Sequence, residues 1–177
     1  MTYPAVYGPV YVTGGIMPAV PLSPYPRYFP PGNRKYYWLT AIGNQGAPTR
    51  AELNAGTDLS GQVAAVSGFG PVMTRSDVTP LGSAVVVVLN TVVDVNSGFN
   101  ELVLYASSDS HDARLLMPAG STGFVVLLPE GDIPGQFCEV WPANVAVMFF
   151  EPATETPGQI HFQFTITGMP SQNVLIP

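Results

Sequence analysis

Residues 160–167 read Ile160-His161-Phe162-Gln163-Phe164-Thr165-Ile166-Thr167, in which an apolar residue alternates with a polar one at every step. Successive side chains of a β-strand point to opposite faces of the sheet, so this pattern predicts a strand with one face packed against a core. The other face, which carries His161, Gln163, Thr165 and Thr167, is predicted to meet water or a channel. The stretch therefore indicates a β fold and a candidate channel-facing surface.

Other stretches that are rich in β-branched or aromatic residues extend the β prediction towards the N-terminus. The candidate strands are residues 35–42, 62–67, 71–78, 84–95, 99–106, 124–128 and 137–150. Asn96-Ser97-Gly98 predicts a turn between the fourth and the fifth of them. Residues 124–128 are continuously apolar, which predicts burial on both faces. Pro142 lacks an amide donor and is expected to confine the last of these strands to an edge or a bulge.

Two short helices are predicted between the strands. Thr49-Arg50-Ala51-Glu52 has the spacing of a capping box. In this motif the Thr49 side chain accepts a hydrogen bond from the Glu52 amide, and the Glu52 side chain accepts one from the Thr49 amide. Gly56 is placed to end this helix. The second helix is predicted over residues 107–117, because Ala113 and Met117 lie four residues apart on one helical face.

Residues 1–32 form a separate segment with eight prolines, five tyrosines and a single charge, Arg27. Each proline lacks an amide donor and restricts the residue before it, which excludes helix and interior strand and predicts an extended, polyproline-like arm. Tyrosines offer a large ring and a hydroxyl for contacts. The candidate inter-subunit contacts of the arm are Tyr3, Tyr7, Tyr11, Tyr25 and Tyr28. The chain is thus divided into an arm, residues 1–32, and a β domain, residues 33–177.

The composition indicates assembly. Apolar residues are 46% of the chain and charged residues only 10%, well below the roughly 25% charged residues of an average soluble domain. So little charge suggests that apolar surface is buried against other subunits, although a well-buried β domain with an uncharged polar surface is the alternative. The net charge of −6 argues against binding of the DNA backbone, but it suits a surface that DNA passes without adhering.

One polar cluster has the residue types of a catalytic site. It consists of Ser107, Ser108, Asp109, Ser110, His111, Asp112 and Arg114. Members of a catalytic triad converge from distant segments, and close neighbours along a chain mostly do not face one another, so helix capping is the interpretation of this cluster. Two histidines and the single cysteine, Cys138, give no zinc-binding pattern. We therefore predict no catalytic residues, no cofactor and no metal, and the protein is not expected to be an enzyme.

A membrane role is not expected either. No stretch of the sequence reaches the roughly 20 apolar residues of a membrane-spanning helix. The first residues lack a basic region, and prolines interrupt the apolar residues that follow, so no secretory signal is predicted.

A series of phrases in one order links residues 33–177 to a known family. It begins with Tyr36-Tyr37-Trp38-Leu39-Thr40, continues through Val140-Trp141-Pro142-Ala143-Asn144-Val145-Ala146 and closes with the alternating strand. The complete set is 36–40, 48–59, 66–69, 120–126, 131–135, 140–146 and 162–170. Together these phrases resemble the major tail proteins of long-tailed bacteriophages, most closely those of phages that infect actinobacteria.

The resemblance implies a structural virion protein, the subunit of a phage tail tube. It implies a β-sandwich or barrel with one or two short helices, which assembles as hexameric rings that stack into a hollow tube. It also implies a tape-measure protein and other tail proteins as partners, genomic DNA in transit without specific binding, and synthesis in the cytoplasm of the host bacterium. Two alternatives stay open: another virion component, such as a tail terminator or head decoration protein, and a carbohydrate-binding tail domain.

Overall fold

The fold is mainly β. A computed structural model describes residues 33–77, 88–96, 98–107, 112–154 and 156–177, so the arm lies outside the described residues. The elements in those ranges are β1 (Lys35–Leu39), α1 (Arg50–Ala55), β2 (Thr57–Asp58), β3 (Val63–Ser67), β4 (Val72–Asp77), β5 (Val88–Asp94), β6 (Asn100–Tyr105), α2 (Ala113–Leu116), β7 (Thr122–Leu128), β8 (Phe137–Glu151), β9 (Gln159–Ile166) and β10 (Ser171–Leu175). The predicted β-sandwich architecture with two short helices is confirmed.

In the described part of the chain, the strands form one large and one small sheet. The large sheet has the order β2-β1-β7-β8-β9-β6-β3, and β10 pairs with β8 outside this path. The small sheet consists of β4 and β5. The predicted turn at residues 96–98 therefore links two sheets, since β6 pairs with β3 and β9 while β5 pairs with β4.

Two cores lie on opposite faces of β7, as the apolar run predicts. Val125 belongs to a cluster with Trp141 and Phe162, whereas its neighbour Val126 belongs to a second cluster with Leu53 and Ile176. Both valines are fully buried. The central strands are thus covered on both sides, on the second side by α1 and the C-terminal residues.

The first helix begins with the predicted capping box. The Glu52 amide donates to Thr49 Oγ1 at 3.2 Å, and the Thr49 amide donates to Glu52 Oε2 at 2.6 Å. The predicted stop at Gly56 is also confirmed, but the backbone there is extended, with a φ of −73°. Glycine is needed because a Cβ at this position would lie 2.8 Å from the Leu39 side chain.

The prediction that Pro142 marks an edge or a bulge is wrong. Pro142 lies inside β8, which pairs with β7 on one side and with β9 and β10 on the other. The Pro142 carbonyl accepts a hydrogen bond from the Thr167 amide, and in a strand the amide and carbonyl of one residue share an edge. The missing donor therefore faces the junction where β8 exchanges β10 for β9, between the Val140–Ser171 pair of one ladder and the Ala143–Ile166 pair of the other.

Candidate functional site

The alternating strand takes the orientation that the sequence predicts. In β9, Ile160 and Phe162 are fully buried in the first core, whereas His161, Gln163 and Thr165 point to the opposite face. On that face β9 lies between β6 and β8, so that side chains of three strands meet in rows. Thr167 follows the end of β9 and is exposed. The four predicted channel-facing residues thus lie along one side of the strand. We call the side of β6, β9 and β8 that carries them the outer face.

His161 joins the three strands of the outer face. Its Nδ1 lies 3.1 Å from Glu101 Oε1 on β6, and its Nε2 lies 2.9 Å from Glu151 Oε2 on β8. Carboxylate oxygens are acceptors, so both contacts are hydrogen bonds when each ring nitrogen carries a hydrogen and the ring is positively charged. One imidazole between two carboxylates leaves the trio with an excess of negative charge.

Apolar side chains share the outer face with these polar groups. The Phe149 ring stacks on His161 with ring centroids 4.6 Å apart and an angle of 6° between the planes, and 44% of its surface remains exposed. Val147 of the same strand is also exposed and lies opposite Gln163. The sequence pattern of β9 did not predict that apolar and polar side chains share this face. Phe149 and Val147 belong to β8, and they follow a bulge that shifts the register of β8 against β9.

A second polar cluster ties the C-terminal residues to the domain. Arg50 at the start of α1 forms an ion pair with Asp132 and donates to the Pro177 oxygen from Nη2 at 2.7 Å. The Tyr37 hydroxyl donates to the other Asp132 oxygen at 3.0 Å. Burial and the neighbouring Asp132 carboxylate raise the pKa of Tyr37 well above its ordinary value. The residues of this polar cluster come from distant segments of the chain, so no local motif in the sequence marks it.

The cluster that was interpreted as helix capping is described only in part. Asp112 is the N-cap of α2: its Oδ1 accepts from the Arg114 amide at 2.8 Å, and its carboxylate also pairs with the Arg114 guanidinium. The Arg114 contacts hold the pKa of Asp112 below its ordinary value. Residues 108–111, and the arm tyrosines, lie outside the described residues.

Cys138 is a buried thiol between charged neighbours. Burial, followed by the nearby Asp132 and Glu139 carboxylates, raises its pKa to about 11. At pH 8 the thiolate fraction is then on the order of 100-fold below that of an ordinary cysteine, and the thiolate is the reactive form.

We predict that an aromatic disulfide reagent labels Cys138 at least about 100-fold more slowly in the native protein than in denaturant. Equal rates in the two states would show that the pocket around the thiol opens readily.

Among the described residues, no group of three or more His, Cys, Asp or Glu side chains is arranged to hold a metal ion. The helices in these ranges include none that is long and apolar enough to cross a membrane.

The chain is similar to a known protein family. A family model described as phage tail tube protein matches residues 23–177. The matched region therefore contains the whole β domain and the last ten residues of the arm. No curated protein matches the chain.

Proposed function

The chain belongs to the phage tail tube protein family, and we propose that its copies close into hexameric rings that stack into the hollow tube through which phage DNA passes. As a member of this family the protein is a structural component of the virion. The phrases shared with major tail proteins further support a place among the long-tailed phages of actinobacteria. In this role the tube surrounds a tape-measure protein during assembly and contacts other tail proteins.

The free edge of the large sheet supports ring closure. Among the described residues β3 pairs only with β6, so its other edge is open. The strand reads Val63-Ala64-Ala65-Val66-Ser67, with none of the charged residues or prolines that usually protect an edge from pairing with another chain. Pairing of this edge with the sheet of a neighbouring copy would satisfy its backbone groups, and closure of the ring would remove every free edge of this kind.

The outer face supports a channel lining. It presents His161, Gln163, Thr165 and Thr167 together with the two carboxylates that hold His161. The polar groups of this face carry an excess of negative charge, which repels DNA phosphates at short range, and physiological salt screens this repulsion beyond about 8 Å. Repetition of the face around a ring would thus give a wall to which DNA does not adhere.

We predict that Thr165→Lys makes the tube retain DNA. Thr165 is exposed on the outer face, so every copy in a ring would add one positive charge to the channel. Retention of short duplex DNA by purified tubes at low salt is expected to rise, and to fall again as salt increases, because phosphate contacts release counterions. The matched control is Asn54→Lys, which adds the same charge on α1, over the second core. Equal retention by both variants would place the outer face away from the channel.

The arm supplies a further contact between copies. Residues 1–32 carry five tyrosines and one charge, so docking would desolvate little charge and bury large rings. Prolines restrict the free arm, which lowers the entropy that it loses on docking. We include Tyr3, Tyr7, Tyr11, Tyr25 and Tyr28 among the inter-subunit contacts.

Electron microscopy of the purified protein tests the proposal. Tubes, or six-fold rings that stack as concentration rises, are the expected result, and light scattering should show a hexamer or larger. Rings that never stack would favour a tail terminator. A strict monomer at high concentration, with no polymer in virions, would overturn the tube assignment.

A further inference from the structure

A shallow track runs beside β10. It consists of two concavities, one of about 180 Å³ lined by residues that include Glu130, Phe137 and Glu139, and one of about 550 Å³ between β10 and the loop at Gly46 and Ala47. Asn173 lines both. The two concavities therefore adjoin at Asn173, and together we call them the β10 track.

The β10 track exposes backbone groups that suit an added strand. The Ile176 amide donates to the Gln136 carbonyl at 2.9 Å, and the Ile176 carbonyl accepts from the Gly135 amide at 2.8 Å. Backbone groups alternate between the two edges of a strand, so those of Leu175 are directed to the other edge. In the described residues β10 pairs only with β8, which leaves that edge open to an extended chain.

Apolar and acidic side chains line the same track. Phe137 and Leu175 are cross-strand partners, and they are 49% and 59% exposed. Their side chains form an exposed apolar patch that a bound partner would cover. Glu130 and Glu139 carry negative charge at one end of the track. A fitting partner is therefore extended, rich in apolar or aromatic groups, and positively charged at one point.

The N-terminal segment of this chain has this chemistry. Its only charge is Arg27, which is complementary to the carboxylates of the track. Arg27-Tyr28-Phe29 lies between Pro26 and Pro30 and keeps three consecutive amide donors. Polyproline-like chains typically dock on surfaces with exposed aromatic rings, as at Phe137.

The topology favours the segment of another copy over that of the same copy. Lys35 pairs with Leu128 at the C-terminal end of β7, so the arm is joined to the domain at that end. Leu175 lies at the same end, opposite Phe137, and the β10 track runs back from it to Ser171. To enter its own track the chain would have to reverse at Pro30-Pro31, and consecutive prolines favour an extended course. Thirty-two residues span about 100 Å at about 3.1 Å per residue, enough to reach a neighbour.

We propose that the β10 track is the docking site for the N-terminal segment of a neighbouring copy, with Arg27 at Glu130 and Glu139 and the following aromatic residues over Phe137 and Leu175. This inference rests on the proposed assembly, since it needs a second copy. It assigns the arm a defined receptor at the open edge of β10.

Disulfide trapping between two variants tests the inference. One full-length variant carries Tyr28→Cys and the other carries Leu175→Cys, a change at an exposed residue of the track. The two are mixed, assembled and oxidised. A covalent dimer that contains both variants is the expected product. The control replaces Leu175→Cys by Leu115→Cys, a change at an equally apolar, exposed residue on α2, the helix that packs on the first core. We expect the mixed dimer to be absent there.

The outcomes separate the inference from the proposed function. Mixed assemblies that give no dimer, or that give as much dimer with Leu115→Cys, would remove the β10 track as the receptor and leave the tube assignment intact. A chain with both Tyr28→Cys and Leu175→Cys that forms only an internal disulfide would show docking on the same copy and overturn the inference. Failure of the wild-type protein to assemble at all would overturn the proposed function.

Discussion

Trp141→Ala is expected to lower the free energy of unfolding of the β domain by about 3–5 kcal/mol, the range for removal of a large aromatic side chain from a core. Trp141 is fully buried in the first core. Its ring meets Phe69 edge to face with centroids 5.6 Å apart, and its Nε1 donates to Glu139 Oε2 at 3.1 Å. The substitution removes these contacts and leaves a cavity. Because domains of this size are stable by only about 5–15 kcal/mol, we expect most assembly to be lost as well.

Urea denaturation followed by circular dichroism measures this effect. Phe150→Ala is the matched control, since it removes an aromatic ring from the same strand at a position that is about half exposed. We expect the control to lose a small part of the stability that Trp141→Ala loses. Similar losses in both variants, or a loss below about 1 kcal/mol for Trp141→Ala, would mean that the first core repacks around the gap, contrary to the close packing of the cluster.

Much of the fold was predictable from local patterns in the sequence. The alternation in residues 160–167 predicted both the strand β9 and the side of it that is buried, because the period of a strand is fixed by backbone geometry. The capping box at Thr49 was equally readable, since its two hydrogen bonds join residues three positions apart. Predictions of this kind depend on neighbours along the chain.

Features that depend on distant partners were not predictable in the same way. Pro142 was expected at an edge or a bulge, because the sequence does not show that two strands share one side of β8. The contacts of Arg50 with Asp132 and the Pro177 oxygen join residues 82 and 127 positions apart. The polar side of β9 was predicted, but its pairing with Glu101 and Glu151 depends on the order of three strands in the sheet.

Deletion of residues 1–32 is expected to leave the β domain folded and to abolish or strongly weaken the tube. The two described cores are built from strands and helices of the β domain, whose apolar side chains pack against one another. The arm itself has apolar and aromatic groups but no pattern of a helix or an interior strand, and it is expected to bury them only against another copy. Circular dichroism should therefore keep its β spectrum, while electron microscopy and heat resistance of the tubes report the loss.

A variant with Tyr→Ser at all five arm tyrosines separates anchoring from length. It keeps the prolines, the single charge and the reach of about 100 Å, and it loses only the rings. If the rings are the anchors, this variant is expected to resemble the deletion in tube stability, because each lost ring removes a large apolar contact area that the remaining prolines do not replace. If instead the truncated protein forms tubes as readily and as heat-resistant as the full chain, the arm does not hold copies together, and closure through the open edge of β3 must supply the contacts by itself.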